Sequence, residues 1–420
     1  MAFKDTNNTF SDIAITSRLE KVNSFLKELD SIINFEKLRP ILNKNGRGGK
    51  NVTGSPAYDN VLMFRILLVQ KYYNLSDQSM EDALYVNLLF IRFVGLSLED
   101  TVPDESTICR FRNSLLANKL FDKLFNAVNK QLEENNFIAK EGKSVLVDAS
   151  LIKSENTQIN NKTKEQKSVD KLEVETANDK LDIQINEELK AKTPSKQKIQ
   201  KLLNAKEYNS KTMKNAQLDA LQEIDTKDVK TSADIIENEK DSYDHKNKID
   251  TDIRIGYQSS KKQYTQGYKV HIASDEESGV ILKTSTTFAN TADIDVLKPF
   301  IEFIPNAKAY YADKAYKSKE IDELLKSKDI DNMICLKEKQ KMSEEDRKAQ
   351  RESEKPKHKI RAKVEHRFAD LKVQMKGGTT RFTGLFRNNM NFTISCLAAN
   401  LRLIAYQQMN LKKSVHRWKR

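Results

Sequence analysis

The sequence predicts an α/β protein. A mixed sheet flanked by helices is preceded by an all-α, helix-turn-helix-like module and interrupted by a charged, partly helical insertion. Three observations carry this. Apolar residues recur at helical intervals from residue 58 to about 134. From residue 141 short apolar runs and a hairpin signal alternate with amphipathic segments, the pattern of a sheet with helices on it. Residues 153–250 switch to Lys, Glu, Asp, Asn, Gln and Thr, nearly without aromatics, and offer too little apolar surface to offset chain entropy.

Taken in order, residues 1–57 are an N-terminal helical stretch (Ile13, Leu19, Val22, Phe25, Leu26, Leu29, Ile33) and a basic loop from Asn43 to Ser55. That loop is glycine-rich, but it lacks the GxxxxGK[ST] spacing and no strand precedes it, so it is not a phosphate-cradling P-loop. Residues 58–140 form the helical module. One helix covers Tyr58 to Tyr73, with caps from Leu75-Ser76-Asp77, and a second covers Ser79 to Phe93. A break at Gly95 follows, then a third helix opened by Val102-Pro103-Asp104 that carries Arg110 and Arg112. Short helices with tight turns and a basic last helix suit DNA docking and equally suit a small bundle with a solvated basic face. A further amphipathic helix runs from Lys119 to Glu134.

Residues 141–410, apart from the insertion, form the α/β domain. Its strands are expected at 144–152, 264–274, 279–287, 307–312 and 332–336, with a DEESG turn joining the second and third. Thr291-Ala292-Asp293 is expected to cap a helix to Phe303, and another helix covers Lys317 to Lys328. Lys337 to Lys357 reads as a charged linker, Asn388 to Met409 as an apolar helix, and 411–420 as a basic tail. His358 to Met375 contains no Gly or Pro and is expected to be one helix of about five turns. Ile360, Val364, Leu371 and Met375 share its buried stripe, while His358, Arg361, Glu365 and Lys372 share a neighbouring stripe at the margin.

The chain of 420 residues has a net charge of +12, which points to a polyanionic partner, most simply nucleic acid. Its cysteines, Cys109, Cys335 and Cys396, form no CxxC pair, so neither a zinc finger nor a disulfide framework is indicated. The pattern suits a reducing cytoplasm. The first residues lack the apolar core of a signal peptide, and no run is long enough to span a bilayer.

Three carboxylates stand where a site could form. Asp148 lies inside an apolar strand, where a charge costs several kcal/mol unless it is paired or metal-bound, or unless it lies in a capped turn at the strand end. Asp313 follows a later strand and Glu365 sits on the marginal helical stripe. Sites in open α/β sheets form at strand ends. An all-oxygen set suits Mg²⁺ or Mn²⁺, and two such ions about 3.5–4 Å apart serve phosphodiester chemistry. A hairpin after Asp148, a strand ending in Asp313 and a helical Glu365 follow the order of a ribonuclease-H-like nuclease fold.

Several segments in order resemble a bacterial transposase of the DDE class, specifically the insertion-sequence-five family within the insertion-sequence-four-like superfamily. YDNVLMFRILLVQKYYNLSDQSMEDALYVNLLFIRFVGL followed by VPDESTICRFRNSL resembles the family's N-terminal DNA-binding module. VLVDASLIKSENT, AYYADKAYKS and IRAKVEHRFADLKVQMKGGTTRFTGLFRNN resemble the segments around the first Asp, the second Asp and the Glu. QYTQGYKVHIASDEESGVI and TTFANTADIDVL resemble the central sheet.

The resemblance implies that Asp148, Asp313 and Glu365 are catalytic and bind two Mg²⁺ or Mn²⁺ ions. It implies that Arg361 and Lys372 contact transposon-end DNA, as the basic positions of a Tyr-Arg-Glu-Lys signature whose Tyr is here His358. Lys314 is a candidate to steer phosphate, Arg110 and Arg112 to contact DNA, and Asn290 and Asp293 to support the site. Ala315 replaces a usual Gly. The implied partners are double-stranded DNA (terminal inverted repeats and target) and a second copy of the chain or a larger synaptic assembly, in a bacterial, nucleoid-associated setting and with no membrane. The implied reaction is end hydrolysis followed by strand transfer. A nuclease of the same fold without strand transfer, and a non-catalytic DNA-binding derivative, are the alternatives.

Overall fold

A computed structural model of the chain describes residues 15–45, 57–155, 250–258, 263–336 and 343–418, apart from Thr16 and Thr251; for 411–418 it describes the backbone alone. Most of the basic loop and nearly all of the charged insertion lie outside the described residues, as do Ile13 and the start of the charged linker.

The N-terminal region is helical but more broken than its apolar spacing suggests. α1 is Leu26–Ile32, and short turns follow to Asn45. The module then comprises α2 (Asn60–Tyr73), α3 (Asp77–Val86), α4 (Leu88–Val94), α5 (Glu105–Ala117) and α6 (Leu120–Glu134). The expected second helix is two helices. Asn87 ends α3 in extended conformation and its side chain caps α4, accepting from the Leu89 and Phe90 amides. Ser76 caps α3 and Asp104 caps α5, as their positions suggest. Gly95 closes α4 at φ 89°, a left-handed conformation for which glycine is favoured.

The sheet contains β1 (Lys143–Ser154), β2 (Arg254–Gln258), β3 (Gln263–Asp275), β4 (Ile281–Phe288), β5 (Ala307–Tyr311), β6 (Asp331–Asn332) and β7 (Thr379–Thr380). Its spine runs β2-β3-β1-β5-β6, with β4 also on β3 and β7 on β1. β3 is antiparallel to both β1 and β4, while β5 is parallel to β1 and β6 parallel to β5. The sheet is therefore mixed, and β1 is central. The last expected strand shrinks to two residues because Met333 and Cys335 reach the end of β5 by single amide bonds, to the Tyr310 and Ala312 carbonyls.

α7 (Ile294–Phe303) and α8 (Lys319–Ser327) flank the β5 connections. α9 (Glu344–Arg361) and α10 (Lys363–Val373) replace two expectations. The described part of the charged linker is helix, capped at Ser343, whose hydroxyl accepts the Asp346 amide. The expected single helix from His358 is bent at Ala362, a turn that separates α9 from α10. The apolar stripe is as expected: Val364, Leu371 and Met375 are buried, with Ile360 partly so.

α11 (Leu385–Trp418) is longer than the expected helix and continues through the segment read as a tail. It packs on β4 and against α1, α2 and α6, so the helical module and the sheet share one hydrophobic core. Asn400, fully buried on α11, fixes its register. It accepts the Ile281 amide and donates to the Ile281 carbonyl, both at 2.8 Å. No described helix is long and apolar enough to cross a membrane.

Candidate active site

β1 and β5 pair in parallel, with Leu146 opposite Tyr311. Asp148 and Asp313 each lie two residues further along, so adjacent strands about 4.8 Å apart deliver them at the same level. Beyond Tyr311 the chain turns: Asp313 accepts the Lys314 amide at 2.7 Å and opens the single 3-10 turn Lys314–Tyr316. Ala315 sits in that turn and is not among the positive-φ residues, so the turn does not demand a glycine there.

Asp148 accepts the Ala149 amide at 2.9 Å through Oδ1. Its Oδ2 receives Arg361 Nη1 at 3.3 Å, and Arg361 Nη2 reaches Glu365 Oε1, also at 3.3 Å. α10 packs on β1 and α9 on β5, which brings Arg361 to Asp148 and leaves Glu365 one helical turn further along. The guanidinium thus lies between two of the three carboxylates.

The electrostatics are strained toward neutrality. Burial, together with the charges of Asp313 and Asp293, pushes the Asp148 carboxyl up to about 6; the Ala149 amide and Arg361 only partly offset this. Tyr316 is buried beneath the group, and its hydroxyl has no hydrogen-bond partner among the described residues. Burial first, then Asp293, Asp148 and Asp313, push that phenol well above its ordinary range.

The donor set fits a hard divalent cation. It is all oxygen, and Asp148 is held where added positive charge relieves both burial and like-charge repulsion. The three carboxylates do not converge on a single point. Among the described residues, the acidic, His or Cys group with one ligand atom each within 4.8 Å is Cys335, Glu354 and His358, not the acidic triad. Glu365 is the outlying member, its side chain 63% exposed.

The remaining candidates divide. His358 is exposed at the far end of the same helical run, with Nδ1 3.7 Å from Cys335 Sγ. Lys314 is exposed beside Asp313, Lys372 is half-buried on α10, and Asn290 is exposed. Asp293 does not cap α7 as expected: its own backbone is helical and its side chain makes no cap bond. Lys269 on β3 draws it away as an ion-pair partner at 3.1 Å. Arg110 bonds back onto Ser106 of its own helix. Arg112 is held internally by Asp77 at 2.6 and 2.7 Å, tying α5 to α3. Neither arginine is brought to the carboxylates. Tyr316 is a residue that sequence reasoning misses; its only signal there is its place in AYYADKAYKS.

Comparison with known families finds two matches. Residues 14–114 match the family described as Transposase domain (DUF772), and residues 222–401 match the family described as Transposase DDE domain. The two matches define the class: the chain carries a DDE transposase domain, the mark of an enzyme acting on DNA, and such a domain implies a ribonuclease-H-like fold and divalent-metal dependence. Within that class, the pair of domains supports the superfamily of insertion-sequence-four-like and insertion-sequence-five-type enzymes. Asp313 and Glu365 fall inside the second match, while Asp148 lies between the two. No solved structure gives a significant match to the chain.

Proposed function

We propose that Asp148, Asp313 and Glu365 form one catalytic site that cleaves the terminal inverted repeats of an insertion sequence of the insertion-sequence-five type. The same site then joins the freed ends to target DNA. The observation that supports this reading is the level placement of Asp148 and Asp313 on adjacent parallel strands, with Glu365 linked to Asp148 through Arg361. Asp148 and Asp313 would hold Mg²⁺ or Mn²⁺, two ions in the full site, with Glu365 completing the set. When bound, the ions supply activation of water or a 3′-hydroxyl and charge stabilisation on the leaving oxygen.

The protein's own groups do the rest. The Ala149 and Lys314 amides orient the two aspartates. Deprotonated Asp148 is needed for ion binding, so the site works above the pH at which that carboxyl loses its proton. Arg361, released from Asp148 and Glu365, has a planar fork suited to a DNA phosphate. Lys372 and Lys314 extend a cationic margin, and exposed His358 offers a further hydrogen bond to phosphate. Arg110, exposed on α5, would leave Ser106 to meet a phosphate, whereas Arg112 supports the module from within. Synapsis of two ends calls for at least a dimer.

The test uses the full chain, Mg²⁺ and labelled DNA carrying the terminal repeats that flank its own gene, with wild type beside Glu365→Gln. End-specific nicks and joined products in the wild type, both lost in the variant, are expected. Nicks without joined products reduce the function to that of a nuclease. Cleavage that persists in Glu365→Gln places the site elsewhere.

A further inference from the structure

One cluster of ligand-type side chains lies outside the acidic triad. Cys335 follows β6, and Glu354 and His358 stand four residues apart on one face of α9. We propose that Cys335, Glu354 and His358 bind a thiophilic divalent cation, of which Zn²⁺ is the type, at a site separate from the carboxylates of catalysis.

The geometry is that of a coordination shell. One ligand atom from each residue lies within 4.8 Å of the others. Cys335 Sγ and His358 Nδ1 are 3.7 Å apart. A tetrahedral zinc with bonds of about 2.3 Å to sulfur and 2.0–2.1 Å to nitrogen sets those two atoms about 3.6 Å apart. A thiol–imidazole hydrogen bond at that length would be weak. Cys335 and Glu354 are buried at 1% and 5% exposure, while His358 faces solvent. Sulfur and carboxylate thus form the floor and the imidazole the mouth, leaving an entry path and an outer position for a water.

The surroundings hold the ligands in place. The Cys335 amide donates to the Ala312 carbonyl at 3.0 Å, and the Leu336 amide donates to Glu354 Oε2 at 3.0 Å. Lys357 Nζ lies 2.8 Å from Glu354 Oε1, so a cation already sits against this carboxylate. Each carboxylate oxygen retains a further lone pair for a metal. The mixed sulfur, nitrogen and oxygen set selects a borderline or soft ion, whereas an all-oxygen set selects Mg²⁺. A cation here would pin the segment after β6 to α9 one turn ahead of Arg361 and would position that residue without touching DNA.

The test is a Co²⁺ titration of the full chain after chelator dialysis, read by absorption. One tetrahedral Co²⁺ per chain is expected at this site, with d–d bands and a sulfur-to-cobalt charge-transfer band that one equivalent of Zn²⁺ abolishes and excess Mg²⁺ leaves intact. Cys335→Ser removes the charge-transfer band and Cys109→Ser keeps it. His358→Ala, at an exposed position that does not threaten folding, weakens binding by roughly tenfold or more. Absence of the band, its persistence in Cys335→Ser, displacement by Mg²⁺, or unchanged affinity in His358→Ala each overturns the proposal. Should Cys335→Ser fail to fold, the His358→Ala titration decides.

Discussion

Two arginine–aspartate pairs in this chain are nearly alike in exposure and opposite in chemistry. Arg112 and Asp77 in the helical module have side chains 17% and 23% exposed; Arg361 and Asp148 at the sheet end have 19% and 20%. The first pair is a fork: two short bonds, and a third to Asp77 from Gln70 at 2.6 Å. Burial alone would raise Asp77, but the Arg112 guanidinium and Gln70 win, and its carboxyl stays below the usual range. The second pair makes one longer bond, its guanidinium is shared with Glu365, and Asp313 and Asp293 push back, so Asp148 rises to about 6. Burial therefore does not separate a structural pair from one in the proposed site. What separates them is whether local partners satisfy the charge.

The largest expected effect breaks the comparison in function. Asp148→Asn and Asp313→Asn should each lower end cleavage by roughly a thousandfold or more, since several kcal/mol of transition-state stabilisation goes with a metal ligand. Asp77→Asn should leave the cleavage rate of the folded fraction near wild type. Labelled-DNA cleavage at a temperature where all three remain folded checks both.

Stability should sort the pairs in the opposite sense. Asp77→Ala strands a half-buried guanidinium and should cost about 2–4 kcal/mol in urea unfolding. Asp148→Asn should instead stabilise the metal-free protein at pH 8, on the order of 1–3 kcal/mol. The gain has a pH signature. Because the folded Asp148 pKa lies above its unfolded value of 3.8, its contribution favours folding below pH about 3.8 and is lost as pH rises through about 6. The advantage of Asn should be full above pH 6 and vanish towards pH 4, as shown by the difference between the two proteins' unfolding curves.

The smallest effect concerns Arg110, which is exposed and bonds within its own helix. Arg110→Ala should change stability by no more than about 0.5 kcal/mol. If it meets a phosphate, DNA affinity should fall evenly across sequences and the salt slope should drop by about one. Arg112→Ala should show the reverse, a stability loss without a specific salt signature.

Much of this is legible in the sequence. Periodicity and caps locate α2, α5 and α6, and alternating apolar runs locate β1, β3 and β4, because these elements bury a face their local pattern already declares. The residue types and order of Asp148, Asp313 and Glu365 mark the candidate site. What escapes is tertiary. Lys337 to Lys357 looks like a linker because α9 buries little of itself beyond Glu354, and a mostly polar helix carries no apolar stripe to read. The bend at Ala362 has no Gly or Pro to announce it. Asp293 looks like a cap because its partner, Lys269, lies on a distant strand. Cys335 and His358 are 23 residues apart, too far for a spacing motif to join them.

The most direct measurement is Mn²⁺ binding by the full chain, followed through the electron paramagnetic resonance of the free ion, for wild type and Asp148→Asn at pH 8. If Asp148 is held poised for a cation, the variant should bind at least about tenfold more weakly while unfolding at higher urea. Equal Mn²⁺ affinity in the two proteins would contradict the assignment of Asp148 to the metal site.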